Sequence, residues 1–337
     1  MLIARVEADR VRSLTGVSFE PDRGLTVIIG PNGAGKTNLV EAIFFGLTSR
    51  SFRTSDRRDL IPFGSSYARC RVTVSSRGVD HVFMASASRS EGNRFTMDGA
   101  KIEQSEAVLH RPKVTVFSPD RLELVKGPPA ARRAHLDSFV AARWPSQAGR
   151  VLAQRNALIA RIAAGQGDRS QLATWNSQFA EAGSALARSR EQAVDELGER
   201  WEMAAEELGL EGPKGLSYRP GSATSAEEIQ AGLEEKLEND LRLGRSSWGP
   251  HHDELRLEMD GRQLRRFGSQ GQQRLGLLAL LFAERESLLA TGGSAPLMLL
   301  DDVMSELDER RRERLVERLL EGGQSVITAA EGELVPE

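Results

Sequence analysis

The sequence has few of the features that define secreted or membrane proteins. Its 337 residues include one cysteine, Cys70, which cannot form an internal disulfide and fits a reducing cytoplasm. The longest strongly apolar stretch, residues 275–283, is too short to cross a bilayer. Residues 1–7 lack the basic and apolar segments of a signal peptide. We therefore expect a cytoplasmic protein that has no membrane partner.

Aromatic residues and net charge are also scarce. Aromatic side chains make up 5% of the chain, which counts against binding single strands by base stacking. The formal net charge is −3, from 45 basic and 48 acidic residues, so any DNA-binding surface must be a local patch. The 39% hydrophobic and 28% charged content is typical of folded globular proteins. The length allows one large domain or two ordinary ones.

Hydrophobic periodicity divides the chain into three parts. Residues 1–129 predict mainly strands, with one amphipathic helix after the strand at 25–29. Residues 130–245 have helical periodicity with interruptions at 165–168 and 209–225, which predicts several short helices rather than a long coiled coil. Residues 246–337 return to an α/β pattern: strands 255–259, 297–300 and 325–328, and helices 275–289 and 308–320. We expect 1–129 and 246–337 to form one α/β head, with 130–245 as an inserted helical lobe.

A phosphate-binding loop is predicted where the strand at 25–29 meets the helix. Residues 30–37 fit the pattern G-x-x-x-x-G-K-[ST], whose glycines let backbone amides converge on phosphate oxygens. Lys36 supplies a charge for the β- and γ-phosphates, and the Thr37 hydroxyl can ligate Mg²⁺. The alternative is a glycine-rich turn that matches by chance. The predicted nucleotide-binding residues are Gly30, Pro31, Asn32, Gly33, Ala34, Gly35, Lys36, Thr37 and Asn38.

Two carboxylates follow a second apolar strand. Asp301 and Asp302 come directly after residues 296–300, where a carboxylate beside a phosphate loop would hold Mg²⁺. We assign Asp301 to the metal and Asp302 to orienting an attacking water. Taken alone, such a pair is more often a solvated strand end, and the pairing with Lys36 and Thr37 favours the functional interpretation.

A third motif, at residues 269–274 (SQGQQR), precedes a strong helix. A small polar cap and a helix N-terminus make a site for phosphate, although the motif is also consistent with an ordinary N-cap. Its place upstream of the carboxylates resembles the signature motif of ABC-type ATPases, and residues 305–308 are similar to their D-loop. The resemblance implies that Ser269, Gln270, Gly271 and Gln272 contact the nucleotide of a second subunit.

Motifs spread over nearly the whole chain resemble the RecF family of bacterial recombination mediators. They are 30–41 (GPNGAGKTNLVE), 49–54 (SRSFRT), 117–120 (FSPD), 127–137 (GPPAARRAHLD), 249–251 (GPH), 269–274 and 299–308 (LLDDVMSELD). The resemblance implies an ABC-type ATPase head, a mixed sheet flanked by helices, that binds ATP and Mg²⁺. It also implies an ATP-dependent homodimer on duplex DNA near single-strand/double-strand junctions, which works with RecO and RecR to load RecA in the nucleoid.

The chain departs from the family pattern at two points. His252 stands where the family has an arginine, so a role carried by that arginine is in doubt, and the chain ends at Glu337, which predicts a shortened last part of the head. RecF-like sequences share Thr328 and Asp302, where many ABC-type proteins have histidine and glutamate. We assign Thr328 to catalysis with Lys36 and Asp302. Because Asp302 reaches less far than glutamate, we expect weak, DNA-stimulated hydrolysis that acts as a timer.

The predicted DNA contacts are basic residues after the first helix. Phosphate neutralisation requires such groups, although a solvated charged turn is the more common explanation of any one arginine. No recognition-helix or zinc motif is present, so little sequence preference is expected. The adjacent histidines, 251 and 252, lack metal-ligand spacing and favour a structural role. The predicted DNA-binding residues are Arg50, Arg53, Arg57 and Arg58.

Other machines that use this kind of head are the alternatives. A transporter subunit fits the helical insert badly, and a long-coiled-coil SMC-like protein would need sustained heptads. A P-loop kinase would leave residues 269–274 without a role. The sequence therefore favours an ATP-gated DNA clamp.

Overall fold

The computed structural model describes residues 1–107, 109–141, 146–291 and 294–332, and their elements alternate as an α/β protein. The strands are β1 (Leu2–Asp9), β2 (Val17–Phe19), β3 (Leu25–Ile29), β4 (Tyr67–Ser76), β5 (Val79–Ser88), β6 (Arg94–Met97), β7 (Ala100–Lys101), β8 (Val114–Phe117), β9 (Lys214–Arg219), β10 (Glu254–Met259), β11 (Arg262–Gln263), β12 (Leu297–Leu300) and β13 (Ser325–Ala329). The α-helices are α1 (Lys36–Thr48), α2 (Gln104–Ala107), α3 (Glu123–Lys126), α4 (Pro129–Ala141), α5 (Ala148–Ala163), α6 (Leu172–Glu207), α7 (Ala226–Glu235), α8 (Leu237–Leu243), α9 (Leu264–Phe267), α10 (Gln270–Ala290) and α11 (Glu309–Leu320).

The chain forms two compact units. The first unit contains Met1–Arg121, Glu207–Gly209 and Arg285–Glu337, and the second contains Leu122–Glu206 and Leu210–Glu284. The compact units therefore divide before α3 and within α10, and the 269–274 motif belongs to the second. The functional division predicted from the sequence, at 129/130 and 245/246, stays a prediction.

A four-stranded parallel sheet carries the functional motifs of the first unit. Its strand order is β3-β13-β12-β8, and all three pairings are parallel. Residues of β12 and β13 are buried throughout, as expected for near-continuous apolar strands in a parallel sheet. The strands predicted at 25–29, 297–300 and 325–328 are confirmed, and the parallel arrangement brings their carboxyl ends to one edge.

A six-stranded antiparallel sheet, in the order β2-β1-β4-β5-β6-β7, completes the first unit. Asp98 and Gly99 form the two-residue turn between β6 and β7, with the positive φ angles of 52° and 85° that such turns require. Helix α1 shares a single apolar core with strands of both sheets. A Cβ atom on Gly46 of α1 would lie 2.6 Å from Val72 Cγ2 and 2.9 Å from Cys70 Sγ, so the helix approaches β4 closely only because this residue is glycine. Cys70 is buried there, and burial raises the pKa of its thiol to about 12.

Both interruptions expected in the helical region are confirmed, because α5 ends at Ala163 and α6 ends at Glu207. Two details differ from the expectation. Helix α6 runs unbroken for 36 residues, because no proline interrupts it and its buried stripe extends to Trp201 and Ala205, where a series of short helices was expected. The interruption at 209–225 contains a strand, β9, which pairs antiparallel with β10 over six residues. The proline and glycines around β9 hid that pairing, since its partner lies more than 30 residues away in the sequence.

No helix in the described part of the chain is long and apolar enough to span a membrane. The expectation of a shortened C-terminal part rests on residues 333–337, which lie outside the described residues.

Candidate functional site

The predicted phosphate-binding loop lies between β3 and α1. Gly33 and Gly35 have φ of 85° and 97°, which glycine adopts without strain, and residues 31–34 are exposed. The loop is anchored by hydrogen bonds from Gly30 N–H to Ala329 O (3.3 Å) and from Ala34 N–H to Pro31 O (3.1 Å). The amides of Asn32, Gly33 and Gly35 donate to no acceptor within the described ranges. These amides at the start of a helix are suited to an anion.

Lys36 folds back over the loop. Its ammonium donates to Gly30 O at 2.6 Å and to Pro31 O at 3.0 Å. Both acceptors are neutral carbonyls that a phosphate would outcompete for a cationic donor. The Lys36 ammonium therefore lies against the loop, where it is available to a phosphate that the loop binds.

A chain of hydrogen bonds joins the loop to the Asp301 carboxylate and to the backbone amide of Asp302. Thr37 Oγ1 donates to Asp301 Oδ2 at 2.8 Å, and Thr328 Oγ1 donates to Asp301 Oδ1 at 2.8 Å. The Asp302 amide donates to Thr328 Oγ1 at 2.9 Å. Thr328 is fully buried, and its hydroxyl contacts both the Asp301 carboxylate and the backbone amide of Asp302. Four residues predicted separately from the sequence thus meet at the ends of β3, β13 and β12.

Asp301 and Thr37 fit a Mg²⁺ ion. Both offer hard oxygen donors, and Mg²⁺ is usually held by one or two carboxylates together with substrate phosphates. Asp301 is 4% exposed, and burial raises the pKa of its carboxyl, against the hydrogen bonds from Thr37 and Thr328. A buried carboxylate is stabilised when a metal ion binds beside it.

Asp302 has an unusual backbone conformation. Its φ is 51°, in the left-handed region that non-glycine residues seldom adopt, and its side chain is half-buried. The bond from its amide to Thr328 holds this conformation. Strained residues of this kind cluster at functional sites, which is consistent with the predicted role of Asp302.

Sequence reasoning missed two residues beside the loop, Arg12 and Glu41. Glu41 of α1 is fully buried and accepts from Arg12 Nε at 3.0 Å and Arg12 Nη2 at 3.1 Å. It also accepts from Ser51 Oγ and from Arg53 Nη1 at 3.3 Å. The Arg10–Leu14 turn lies against the phosphate loop, because Ser13 Oγ accepts from the Asn38 amide at 2.8 Å. No local pattern marks this pairing, since Arg12 belongs to no motif.

The 269–274 motif forms a complete capping box in the second unit. Ser269 Oγ accepts from Gln272 N–H at 3.2 Å, while Gln272 Oε1 accepts from Ser269 N–H at 2.8 Å. Gln273, which the predicted set omitted, is buried and donates to Leu264 O and Gly268 O at 2.9 and 3.0 Å. Ser269, Gln270 and Gly271 remain exposed at the start of α10. The hydrogen bonds of the capping box therefore leave these three residues accessible to a phosphate.

The four predicted DNA-binding arginines do not share one environment. Arg53 pairs with Glu41 and also donates to Asn38 Oδ1 at 3.1 Å, which places it beside the phosphate loop. Arg58 pairs with Asp56 at 2.7 Å, and that hydrogen bond raises its pKa. Arg50 and Arg57 lie near each other, since the charge of Arg50 adds to burial in lowering the pKa of Arg57. The predicted cluster thus separates into two paired and two mutually repelling arginines.

The histidine pair has a structural environment. His251 lies between the rings of Phe179 and His252, its Nε2 is 3.1 Å from Ser246 O, and burial lowers its pKa to about 4. The neighbouring Asp253 is 1% exposed and accepts from Arg190 Nη1 at 2.7 Å, Gly221 N–H at 2.8 Å and the Tyr218 hydroxyl. This segment therefore holds β9, β10 and α6 of the second unit together. Within the described residues, no group of three or more His, Cys, Asp or Glu side chains could hold a metal.

Sequence comparison shows that the chain is similar to DNA replication and repair proteins. Residues 2–336 match the family described as the RecF/RecN/SMC N-terminal domain. The chain is 36% identical over 332 residues to the DNA replication and repair protein RecF of Synechococcus sp. strain JA-3-3Ab, with 93% of this chain and 86% of that protein covered. It is 38% identical over 317 residues to RecF of Anaeromyxobacter sp. strain Fw109-5, with coverages of 90% and 85%.

Structural comparison agrees. A solved structure of the recombination mediator protein RecF with ATP, of the RecFOR pathway, superposes with a TM-score of 0.86 at 28% identity, covering 99% of this chain and 93% of that one. An SMC head bound to the C-terminal winged-helix domain of ScpA superposes with a TM-score of 0.60 at 18% identity, covering 99% and 91%, which shows a shared fold alone. The expected fold, an ABC-type ATPase head with a helical second part, is confirmed.

Proposed function

The chain belongs to the RecF family of ABC-type ATPases, and on that premise we propose that it is an ATP-dependent, DNA-binding mediator of recombination and repair. Its relatives bear the name of a DNA replication and repair protein, and its fold matches that of RecF solved with ATP. The observation that carries the proposal is the hydrogen-bond chain from Thr37 through Asp301 to Thr328. That chain joins a phosphate loop to the carboxylates that hydrolysis requires.

Each residue of the site has a proposed role. The loop residues 30–38 bind the phosphates, and Lys36 neutralises the charge that develops on them. Thr37 and Asp301 would hold Mg²⁺, which when bound would supply positive charge to stabilise the phosphates. Asp302 orients the attacking water, and Thr328 keeps both carboxylates in place.

The nucleotide site is shared between two copies of the chain. Ser269, Gln270, Gly271 and Gln272 of one copy cap the ATP that the other copy holds, so ATP closes a homodimer and hydrolysis opens it. The closed dimer binds duplex DNA and single-strand/double-strand junctions, with the four arginines predicted from the sequence as candidate contacts. In this role it assists RecO and RecR in loading RecA in the cytoplasm, at the nucleoid, and its hydrolysis is slow and stimulated by DNA.

The first experiment measures ATP turnover per chain against protein concentration, with and without duplex DNA. Turnover that rises with concentration and with DNA supports a shared site that closes on DNA. Turnover that is independent of both would refute the clamp and leave a phosphohydrolase or kinase that acts as a single chain.

Mixing two inactive variants tests the shared site directly. Lys36→Ala inactivates the phosphate loop. Ser269→Asp keeps a good helix cap but puts a negative charge where phosphate is expected. In a mixed dimer, one of the two sites combines an intact loop with an intact signature. Random pairing of equal amounts should therefore restore about a quarter of the wild-type turnover. No restoration, with each variant folded and dimerisation-competent, would contradict the proposal.

A further inference from the structure

The chain that leads into the Ser269 cap forms a tight corner between α9 and α10. Helix α9 ends at Phe267, Gly268 follows, and Ser269 begins the capping box. A Cβ atom on Gly268 would lie 2.8 Å from Leu264 O and 2.9 Å from Leu264 Cδ2, so a side chain at this position would collide with the backbone of α9. We call residues 264–268 the α9 corner.

The side chain of Gln273, one turn into α10, holds the α9 corner. Its Nε2 donates to Leu264 O at 2.9 Å and to Gly268 O at 3.0 Å, with a longer contact to Arg265 O at 3.4 Å. Because all three neighbours are carbonyl oxygens, only the NH₂ end of the amide can face them. The Oε1 atom is buried and has no hydrogen-bond partner among the described residues. Gln273 therefore acts here as a donor, although its acceptor stays unpaired.

Packing fixes the same corner against α10. Leu264 is 1% exposed, and a Cβ atom on Gly276 would lie 2.7 Å from Leu264 Cδ1, so the leucine packs directly on a glycine of α10. The carbonyl of Gly276 accepts from Trp201 Nε1 at 3.0 Å, which ties this part of α10 to α6. The α9 corner is thus attached to α10 by an apolar contact and by the hydrogen bonds of Gln273.

The two adjacent glutamines of the motif hold different parts of the chain. Gln272 Oε1 accepts from the amide of Ser269 and so fixes the cap residue itself. Gln273 is 5% exposed and fixes the residues that precede the cap. The exposed Ser269, Gln270 and Gly271 can reach a ligand, whereas the buried Gln273 cannot. Donors of a binding site need to be held within about 0.5 Å of their productive positions by such supporting residues.

We propose that Gln273 is a positioning residue for ATP hydrolysis. By holding the α9 corner, it directs the Ser269 hydroxyl and the amides of Gln270 and Gly271 toward the ATP that a second copy of the chain holds. This inference rests on the shared nucleotide site proposed above and adds to it a residue that touches no phosphate. Because the shared site combines the loop of one copy with the α10 terminus of the other, loss of Gln273 impairs the site formed on the partner's loop and leaves its own loop intact.

Gln273→Met in the full chain tests the proposal, because methionine has a similar length but no donor. ATP binding in equilibrium dialysis should match wild type, and turnover should fall about tenfold, the lower end for losing two neutral hydrogen bonds. Gln273→Glu should lose more turnover, since its carboxylate would face three carbonyl oxygens. Wild-type turnover in Gln273→Met would overturn the proposal.

Gln324→Met is the matched control for a loss of stability alone. Gln324 is also a buried glutamine whose Nε2 donates to two carbonyls, Ile3 O at 2.9 Å and Asp22 O at 2.7 Å. It precedes β13, at the opposite edge of the parallel sheet from Thr328. Gln324→Met should melt below wild type and keep wild-type turnover per folded chain. A loss of turnover equal to that of Gln273→Met would overturn the positioning role.

Mixing with Lys36→Ala shows which copy the residue serves. Equal amounts of Gln273→Met and Lys36→Ala should give about a quarter of wild-type turnover, against about a twentieth if the two variants act independently. If Lys36→Ala restores turnover with Ser269→Asp but not with Gln273→Met, this inference alone is overturned. If it restores turnover with neither variant, the shared site of the proposed function is overturned as well.

Discussion

Replacing Thr328 with valine tests whether one hydroxyl holds the catalytic carboxylates. Valine has nearly the same shape, so the change leaves no cavity in β13, where Thr328 is fully buried. It removes the donor to Asp301 Oδ1, 2.8 Å away, and the acceptor of the Asp302 amide, 2.9 Å away. The effect therefore comes from two hydrogen bonds rather than from packing.

The magnitude follows from those two bonds. A hydrogen bond to a charged group contributes about 1.5–3 kcal/mol, and leaving a buried amide without an acceptor costs about 1–3 kcal/mol. The valine variant no longer buries a hydroxyl, which offsets part of this loss, so we expect a net destabilisation of about 2–4 kcal/mol. For a unit of 150–250 residues this lowers the melting temperature by about 5–15 °C.

The assay compares thermal melting and single-turnover ATP hydrolysis in three variants. Thr328→Val should lose hydrolysis more than nucleotide binding, because Lys36 and the loop amides are untouched. Thr328→Ser keeps the hydroxyl and should lose only about 1 kcal/mol for the missing methyl group. Ser325→Ala, on the same strand, removes a buried hydroxyl that has no hydrogen-bond partner among the described residues, and it should be nearly neutral. Wild-type hydrolysis and melting in Thr328→Val would refute the argument that this hydroxyl positions the carboxylates.

Three further predictions concern the other residues of the site. Lys36→Arg keeps the charge but loses the compact ammonium, so ATP should still bind in equilibrium dialysis while hydrolysis falls at least tenfold. Asp302→Glu should raise single-turnover hydrolysis, because the longer side chain reaches further toward the water; an unchanged rate would count against the geometric explanation of slow hydrolysis. Burial raises the pKa of the Asp301 carboxyl above its ordinary value of 3.8, so the folded chain holds this proton more tightly than the unfolded chain. Without nucleotide, the free energy of unfolding should therefore fall as the pH rises from about 3.8 through the raised pKa of Asp301. Asp301→Asn should abolish this pH dependence and should melt above wild type at neutral pH. The variant should also bind ATP equally with Mg²⁺ and with EDTA. A pH profile of stability parallel to that of wild type would contradict the assignment of this titration to Asp301.

Most of the site could be predicted from the sequence because its parts are local. The phosphate loop is a contiguous pattern between a strand and a helix, and the carboxylates follow directly after an apolar strand. The structure adds the connection between them, since Thr37 and Asp301 are 264 positions apart and meet only through the order β3-β13-β12. Because the strands of a parallel sheet end at the same edge, the sequence predicts that these residues come close to one another. It does not predict which residues of neighbouring strands pair.

The residues that were missed depend on long-range partners. Arg12 and Glu41 belong to different elements, and nothing in either segment predicts that one neutralises the other. The four basic residues after α1 look alike in the sequence, yet among the described residues only Arg53 and Arg58 form ion pairs, because pairing depends on where Glu41 and Asp56 lie. Strand β9 was hidden for the same reason. Local patterns thus identify the residue types that carry the chemistry, whereas the fold decides which charged side chains form ion pairs.

The capping box at Ser269 shows how one residue can serve both the helix and a phosphate. Ser269 Oγ uses a lone pair to accept from Gln272 N–H, which leaves its hydroxyl proton free to donate. Its own amide is occupied by the Gln272 side chain, whereas the amides of Gln270 and Gly271 have no acceptor within the described residues. A phosphate at this helix terminus would therefore receive the Ser269 hydroxyl and the amides of Gln270 and Gly271, while Gln272 holds the cap. The role of Gln272 is thus expected to be indirect, so that Gln272→Glu, which preserves the capping box, should keep more activity than Ser269→Asp.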